Sequence, residues 1–145
     1  MIVFRTITRA EVDTWAELCG TVFDAGKQYF INHFERDPDA REAGIWVALD
    51  DGKLVSSVRV FHRCVYISGQ RVSMGGIGEV CTLPEYQKRG LSAELLKRSV
   101  GYMREQGLNI SLLFTGSNNH YARQGWATFI RNNAKVDLSA AGTLP

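Results

Sequence analysis

The chain has 145 residues, 45% of them hydrophobic and 22% charged, and a formal net charge of +2. These values describe one soluble globular domain with enough residues to bury a core. They exclude the dense basic stripe of a nucleic-acid binder, and no apolar run approaches the ~20 residues that cross a bilayer.

Residues 1–6 carry no charged-then-apolar leader. Residues 2–7 alternate as a first strand. Thr8-x-x-Glu11 is a capping-box signature, and behind it Val12, Trp15, Ala16, Leu18 and Cys19 mark one face of a helix. Gly20 weakens the end of that helix, and Asp24-Ala25-Gly26 breaks the chain. Tyr29, Phe30, Ile31 and Phe34 then form a second amphipathic helix, stopped by Asp37-Pro38-Asp39.

Residues 44–49 form a strand, Asp50-Asp51-Gly52-Lys53 a hairpin turn, residues 54–67 a long second arm, and residues 71–83 a return after Ser68-Gly69-Gln70. Together they predict an antiparallel meander of three strands. Gly75, Gly76 and Gly78 lie inside the third strand and predict a bulge or a close backbone approach there. Pro84 ends the strand, and residues 91–105 form a helix with Leu91, Leu95, Leu96, Val100 and Met103 on one face and a Gly107 cap. Residues 109–114 read as a buried strand, so strand, helix and strand predict a parallel crossover. The polar loop at residues 115–119 starts a short helix at 120–124, closed by Gly125. Residues 126–130 and 134–138 are further strand candidates, and residues 139–145 form a frayed tail. The expected fold is α/β with a mixed, mostly antiparallel sheet and helices on both faces, in one domain over residues 1–138.

The turn Gln87-Lys88-Arg89-Gly90-Leu91-Ser92 concentrates the chemistry. Glycine at the mouth of a helix lets backbone amides approach a ligand, and those first amides have no partner inside the helix. This is the chemistry of a phosphate cradle, with Lys88 and Arg89 beside it. An ordinary strand-to-helix turn is the plain alternative.

Gln87-x-x-Gly90-x-Ser92, after a strand and before a long amphipathic helix, resembles motif A of the GNAT superfamily, the acyl-coenzyme-A-dependent N-acyltransferases. Tyr121-x-x-x-Gly125-Trp126 extends the resemblance, which covers residues 1–130. Ser92 departs from the usual glycine or alanine but is small enough to fit. The chain also resembles the N-terminal domain of the enhanced-intracellular-survival type, which carries further domains. The resemblance implies splayed strands with acetyl-CoA between them. Its contacts would be Val80, Cys81 and Thr82 on the strand, Gln87, Lys88, Arg89, Gly90, Leu91 and Ser92 in the cradle, and Asn118 beyond. It implies Tyr121 as the acid that protonates the departing thiolate, against a packing role for the same ring. It also implies that the two N-terminal helices flank the site of a small-molecule or peptide amine.

Glu79 is the candidate base for that amine, and an ion pair with Arg59 or Arg63 is its alternative role. Strand parity decides between them, and the expected bulge hides the parity. Cys81 lacks an evident base, although His120 is a conceivable neighbour, and reads as a core thiol. Cys19, Cys64 and Cys81 are odd in number and without a Cys-x-x-Cys pair, as in a reduced cytoplasmic protein. His33, His62 and His120 are scattered, so no metal is expected. Phe30 and Phe34 read as core. Phe23 and Tyr29, with the acids Asp24, Glu35 and Asp37, hint at a cationic acceptor. The expected activity is N-acetyl transfer by direct attack in a ternary complex. A coenzyme A binding domain without turnover, a piece of a larger assembly, and an interaction domain unrelated to coenzyme A are the alternatives. Self-association stays open.

Overall fold

The computed structural model describes residues 1–129; the strand expected at 134–138 and the tail at 139–145 lie outside them. Strand β1 (Ile2–Thr6) leads through a single 3-10 turn into helix α1 (Val12–Val22) and then α2 (Lys27–Glu35). The meander follows as β2 (Ile45–Asp50), β3 (Lys53–Ile67) and β4 (Gln70–Thr82), then α3 (Leu91–Glu105), β5 (Ile110–Leu112) and a short α4 (Asn118–Ala122). The five strands lie in the order β1-β2-β3-β4-β5, and all pairs are antiparallel except β4 with β5. Among the described residues no helix is long and apolar enough to cross a membrane.

Local chemistry accounts for the corners. Glu11 accepts from the Thr8 amide at 2.8 Å and from the Thr8 hydroxyl at 2.9 Å, and Arg5 grips it through two further bonds at 2.6 and 2.8 Å. These partners, the Arg5 bond first, hold its carboxyl down to about 2. Asp51 and Gly52 both take positive φ, as the two-residue turn between β2 and β3 requires. At the end of α3, Leu108 N–H donates to the Met103 carbonyl and Gly107 N–H to that of Arg104, a Schellman closure around Gly107 at φ 66°.

Helices α1 and α2 cover one face of the sheet and α3 the other. On the first face Trp15 is wholly buried, donates to Ser57 Oγ at 2.9 Å, and meets Phe30 and Phe34 edge-on. On the second, Leu95, Leu96, Tyr102 and Met103 are buried, and Tyr102 reaches His62 at 2.8 Å.

The bulge sits just beyond the glycines expected to carry it. Ser57 pairs with Cys81 and Arg59 with Gly78, so Val58 faces two residues, Glu79 and Val80. Glu79 takes the extra step at φ 51°. The glycines serve close packing instead: a Cβ on Gly75 would lie 2.2 Å from the Met103 sulfur, and one on Gly78 would lie 2.8 Å from the Phe61 ring. Gly78 and Glu79 therefore turn toward the same face, that of α1 and α2, and side-chain parity is inverted on the two sides of the bulge.

Two further expectations are corrected. Residues 109–114 are not a buried strand. Only Ile110–Leu112 pair, with β4 at Met74–Gly76, and as the edge of the described sheet they leave Leu112 exposed. Residues 126–129 are not a strand; the Trp126 indole donates to Ser111 Oγ at 3.1 Å instead. Beyond Gly76, β4 continues to Thr82 with no β5 beside it, so the two strands part as expected.

Gly20 lies within α1 rather than ending it, because the α1–α2 corner folds back onto its Cα. A Cβ there would meet the Ala25 carbonyl oxygen at 2.8 Å and the Lys27 amide nitrogen at 3.2 Å. Gly101 in α3 has open space in the same direction. Gly20→Ala is expected to lose about 1–3 kcal/mol by denaturant titration, because backbone must move. Gly101→Ala is expected to gain up to about 1 kcal/mol from helix propensity alone.

Candidate active site

The turn after β4 is built to leave amides unspent. Pro84 opens a 3-10 turn, the Gln87 side chain bonds back to the Thr82 carbonyl at 3.4 Å, and Lys88 and Gly90 take φ of 59° and 77°. The first backbone bond of α3 runs from Glu94 N–H to the Gly90 carbonyl at 3.1 Å. The amides of Leu91, Ser92 and Ala93 therefore stand at the positive end of a 15-residue helix with no acceptor inside it. Nothing lies within 4 Å of where a Gly90 Cβ would sit. Leu91 is buried and pins the helix start, while Arg89 lies over the Tyr86 ring at 4.9 Å.

Helix α4 approaches the same place. Ser92 Oγ and His120 Nε2 are 3.4 Å apart, so the cradle meets α4. Asn118 and Tyr121, one turn apart on α4, share the wall of a groove of about 950 Å³ with Trp126 and β5. Tyr121 packs edge-on to Trp126, and burial pushes its phenol above the ordinary 10.0.

Glu79 belongs to a second cluster. The bulge points it at Arg59, whose Nη1 lies 3.3 Å from Glu79 Oε2, while Arg59 Nη2 donates to Asp37 Oδ2 at 2.9 Å. The Arg59 side chain is 1% exposed and lies over the Phe61 ring at 4.2 Å. Arg63 closes the other side of Asp37 with bonds of 2.8 and 3.0 Å. His33, on α2, places Nδ1 3.1 Å from Glu79 Oε1. A cleft of about 570 Å³ opens here, lined by Tyr29, Asn32, His33, Arg36, Asp37 and Arg63 among others.

The two carboxylates respond oppositely to their surroundings. Burial pushes Glu79 above 4.5, and the Arg59 charge and the His33 bond offset only part of that. Burial acts on Asp37 too, but Arg63, the Asp39 amide and the Arg59 charge hold it below 3.8. A raised carboxyl makes the native state bind protons more readily than the unfolded chain. Glu79 thus costs stability as pH rises through the range above 4.5, whereas Asp37 contributes stability that is lost as pH falls below 3.8.

The structure gathers Gln87, Lys88, Arg89, Gly90, Leu91, Ser92, Asn118 and Tyr121 around the start of α3 and α4. It sets Glu79 at the bulge of β4, paired with Arg59 as one of its two readings foresaw. Val80 is half-buried, Cys81 is buried, and the Thr82 hydroxyl lies 2.8 Å from that of Ser56, so these three offer a ligand backbone rather than side chains. Cys81 Sγ lies 3.9 Å from Cys19 Sγ, and that contact with burial pushes the Cys19 thiol up; His120 is at Ser92 instead. Phe30 and Phe34 are core, while Phe23 and Tyr29 are 46% and 59% exposed. Glu35 is met by Arg9 at 2.5 Å and Asp37 by two arginines, so both of these acids are already ion-paired. In the sequence His33 is only one of three scattered histidines; its one signal for the cleft is its place a helical turn after Tyr29.

Comparison with known proteins follows this geometry. Residues 3–129 match the family model described as an acetyltransferase (GNAT) domain. A curated relative from Archaeoglobus fulgidus, described as an uncharacterized N-acetyltransferase, is 31% identical over 102 residues, 70% of this chain and 66% of that one. A conserved protein of Enterococcus faecalis superposes with a TM-score of 0.74 at 22% identity, over 86% of this chain and 32% of that one. AAC(6')-Iy in complex with the bisubstrate analogue CoA-S-monomethyl-acetylneamine superposes with a TM-score of 0.76 at 14% identity, over 94% and 98%. At these identities the two solved structures establish the fold.

Arg59 neutralises two buried carboxylates at once. Arg59→Met is expected to cost about 3–5 kcal/mol by denaturant titration at neutral pH, since both acids lose their central partner. The loss is expected to shrink in mild acid, where Glu79 takes up a proton first.

Proposed function

The chain belongs to the GNAT acetyltransferase family, and on that footing we propose that it transfers an acetyl group from acetyl-CoA to a primary amine by direct attack in a ternary complex. The observation that carries this reading is the opening of α3. Gly90 in the left-handed region leaves the amides of Leu91, Ser92 and Ala93 aimed outward beside a strand that has parted from its neighbour.

The residues present fit such a co-substrate. Three free amides at a helix start, with the Ser92 hydroxyl and the charges of Lys88 and Arg89 nearby, suit a pyrophosphate. The stretch Val80, Cys81 and Thr82 offers backbone groups on the open side of β4, and an amide there polarises the reacting carbonyl. Acetyl-CoA supplies the activated thioester. Tyr121 supplies the proton for the departing thiolate, and burial keeps its phenol protonated across the neutral range. Glu79 marks the basic end of the site, where the amine gives up its proton. The acceptor is a small-molecule or peptide amine entering between α1, α2 and β4. The chain spans 66% of the Archaeoglobus relative and 32% of the Enterococcus one. That favours a second reading, in which this domain is one part of a larger acetyltransferase such as the enhanced-intracellular-survival type.

Calorimetric titration tests the cradle. Acetyl-CoA and desulfo-CoA are expected to bind alike and adenosine to bind far more weakly. Gly90→Asp keeps a good N-cap residue that tolerates positive φ, yet sets a carboxylate where the pyrophosphate belongs. It is expected to weaken binding at least about tenfold, or 1.4 kcal/mol, with the fold intact. Unaltered affinity would remove the cradle. Tyr121→Phe is expected to leave acetyl-CoA affinity unchanged and to lower kcat by about 10²–10⁴-fold in a thiol-release assay.

A further inference from the structure

Glu79 is a poor direct base for a visiting amine. Its side chain is 7% exposed, and both carboxylate oxygens are engaged, Oε1 by His33 Nδ1 and by Arg59 Nη1 at 3.4 Å, and Oε2 by the same Nη1. His33 is the reverse. Its side chain is 47% exposed on the cleft, and among the described residues Nε2 has no hydrogen-bond partner. The imidazole is held between two rings, Tyr29 at 5.6 Å and Phe61 at 5.7 Å between centroids. Three elements fix the pair independently: the β4 bulge aims Glu79, Arg59 on β3 anchors it, and α2 carries His33.

An ionised carboxylate beside Nδ1 selects the tautomer with the proton on Nδ1, because a carboxylate only accepts. The lone pair of Nε2 then faces the cleft. A buried carboxylate, an oriented imidazole and an open second nitrogen form the arrangement by which a carboxylate–imidazole pair removes a proton from a nucleophile. We propose that His33 is the proton acceptor for the acceptor amine and that Glu79 is its positioning residue. This rests on the transferase reading above and deepens it.

The step balances. The nitrogen lone pair of a neutral amine forms the N–C bond, and an N–H proton passes to His33 Nε2, leaving an imidazolium that Glu79 stabilises. The C–S bond breaks with its electron pair on sulfur, which takes the Tyr121 proton. Solvent then returns one proton to Tyr121 and removes one from His33.

Two measurements on the full chain test the assignment. Long-range ¹H–¹⁵N NMR of the imidazoles is expected to give His33 as the Nδ1–H tautomer, and Glu79→Gln, which can donate as well as accept, is expected to shift it toward a mixture. An Nε2–H tautomer in the wild-type protein would overturn the proposal whatever the turnover. In the thiol-release assay His33→Ala is expected to lose about 10²–10⁴-fold in kcat, with acetyl-CoA affinity unchanged and part of the rate restored by imidazole in the buffer. Turnover within about threefold of wild type, or a loss that imidazole leaves untouched, would overturn it as well. Failure of the wild-type protein to bind acetyl-CoA strikes the transferase reading instead, and the tautomer then decides the pair by itself.

Discussion

One extra residue in β4 governs the rest of the site. Without it, Glu79 would follow Gly78 onto opposite faces of the sheet and point at α3. With it, two residues face Val58, and Gly78 and Glu79 both turn to the α1–α2 side. Glu79 accepts φ 51° to do so, a conformation costly for a residue with a Cβ. Three bonds to Arg59 and His33 hold that conformation in place. Past the bulge the strand has left β5, which pairs only at Met74–Gly76. The same few residues thus re-aim a carboxylate and run alongside the open edge.

Arg59 makes this affordable in electrostatic terms. A lone buried guanidinium or a lone buried carboxylate would be costly. Arg59 instead lies between Asp37 and Glu79 and over the negative face of Phe61. Asp37 follows α2 directly, so the same cation ties the end of that helix to β3 and β4. The cluster is a structural strut whose outer surface forms the cleft. That double use explains why the acids there are not available to a cationic ligand.

The parts legible in the sequence were those encoded locally. Periodicity marks α1, α2 and α3, Asp51-Gly52 marks the hairpin, and Gln87-x-x-Gly90-x-Ser92 marks the turn into α3, because each depends on residues close in sequence. Of the two readings of the glycines, a bulge or a close approach, the structure shows the close approach, and the bulge follows directly after Gly78. Their absent side chains accommodate Met103 and the Phe61 ring, which come from elsewhere in the chain. The strand expected at 109–114 shrank to three residues because its burial depends on what lies against it, which periodicity does not record. His33 was passed over for the same reason. Nothing within α2 distinguishes it from a surface histidine, and Glu79 lies 46 residues away.

This difference in range separates the two ends of the site in kind. The start of α3 presents backbone amides, and a short motif suffices to announce it. The cluster at Glu79 is made of side chains from α2, β3 and β4 that meet only in the folded chain. A short motif therefore announces a backbone turn far better than it announces a cluster of side chains from distant elements. The exposed ring of Tyr29 and the imidazole of His33 come from α2, and the guanidinium of Arg36 from the residue that caps its end. Changes along that one helix and its end can alter the cleft without disturbing the start of α3, since α2 touches neither the start of α3 nor α4 through any of the bonds described.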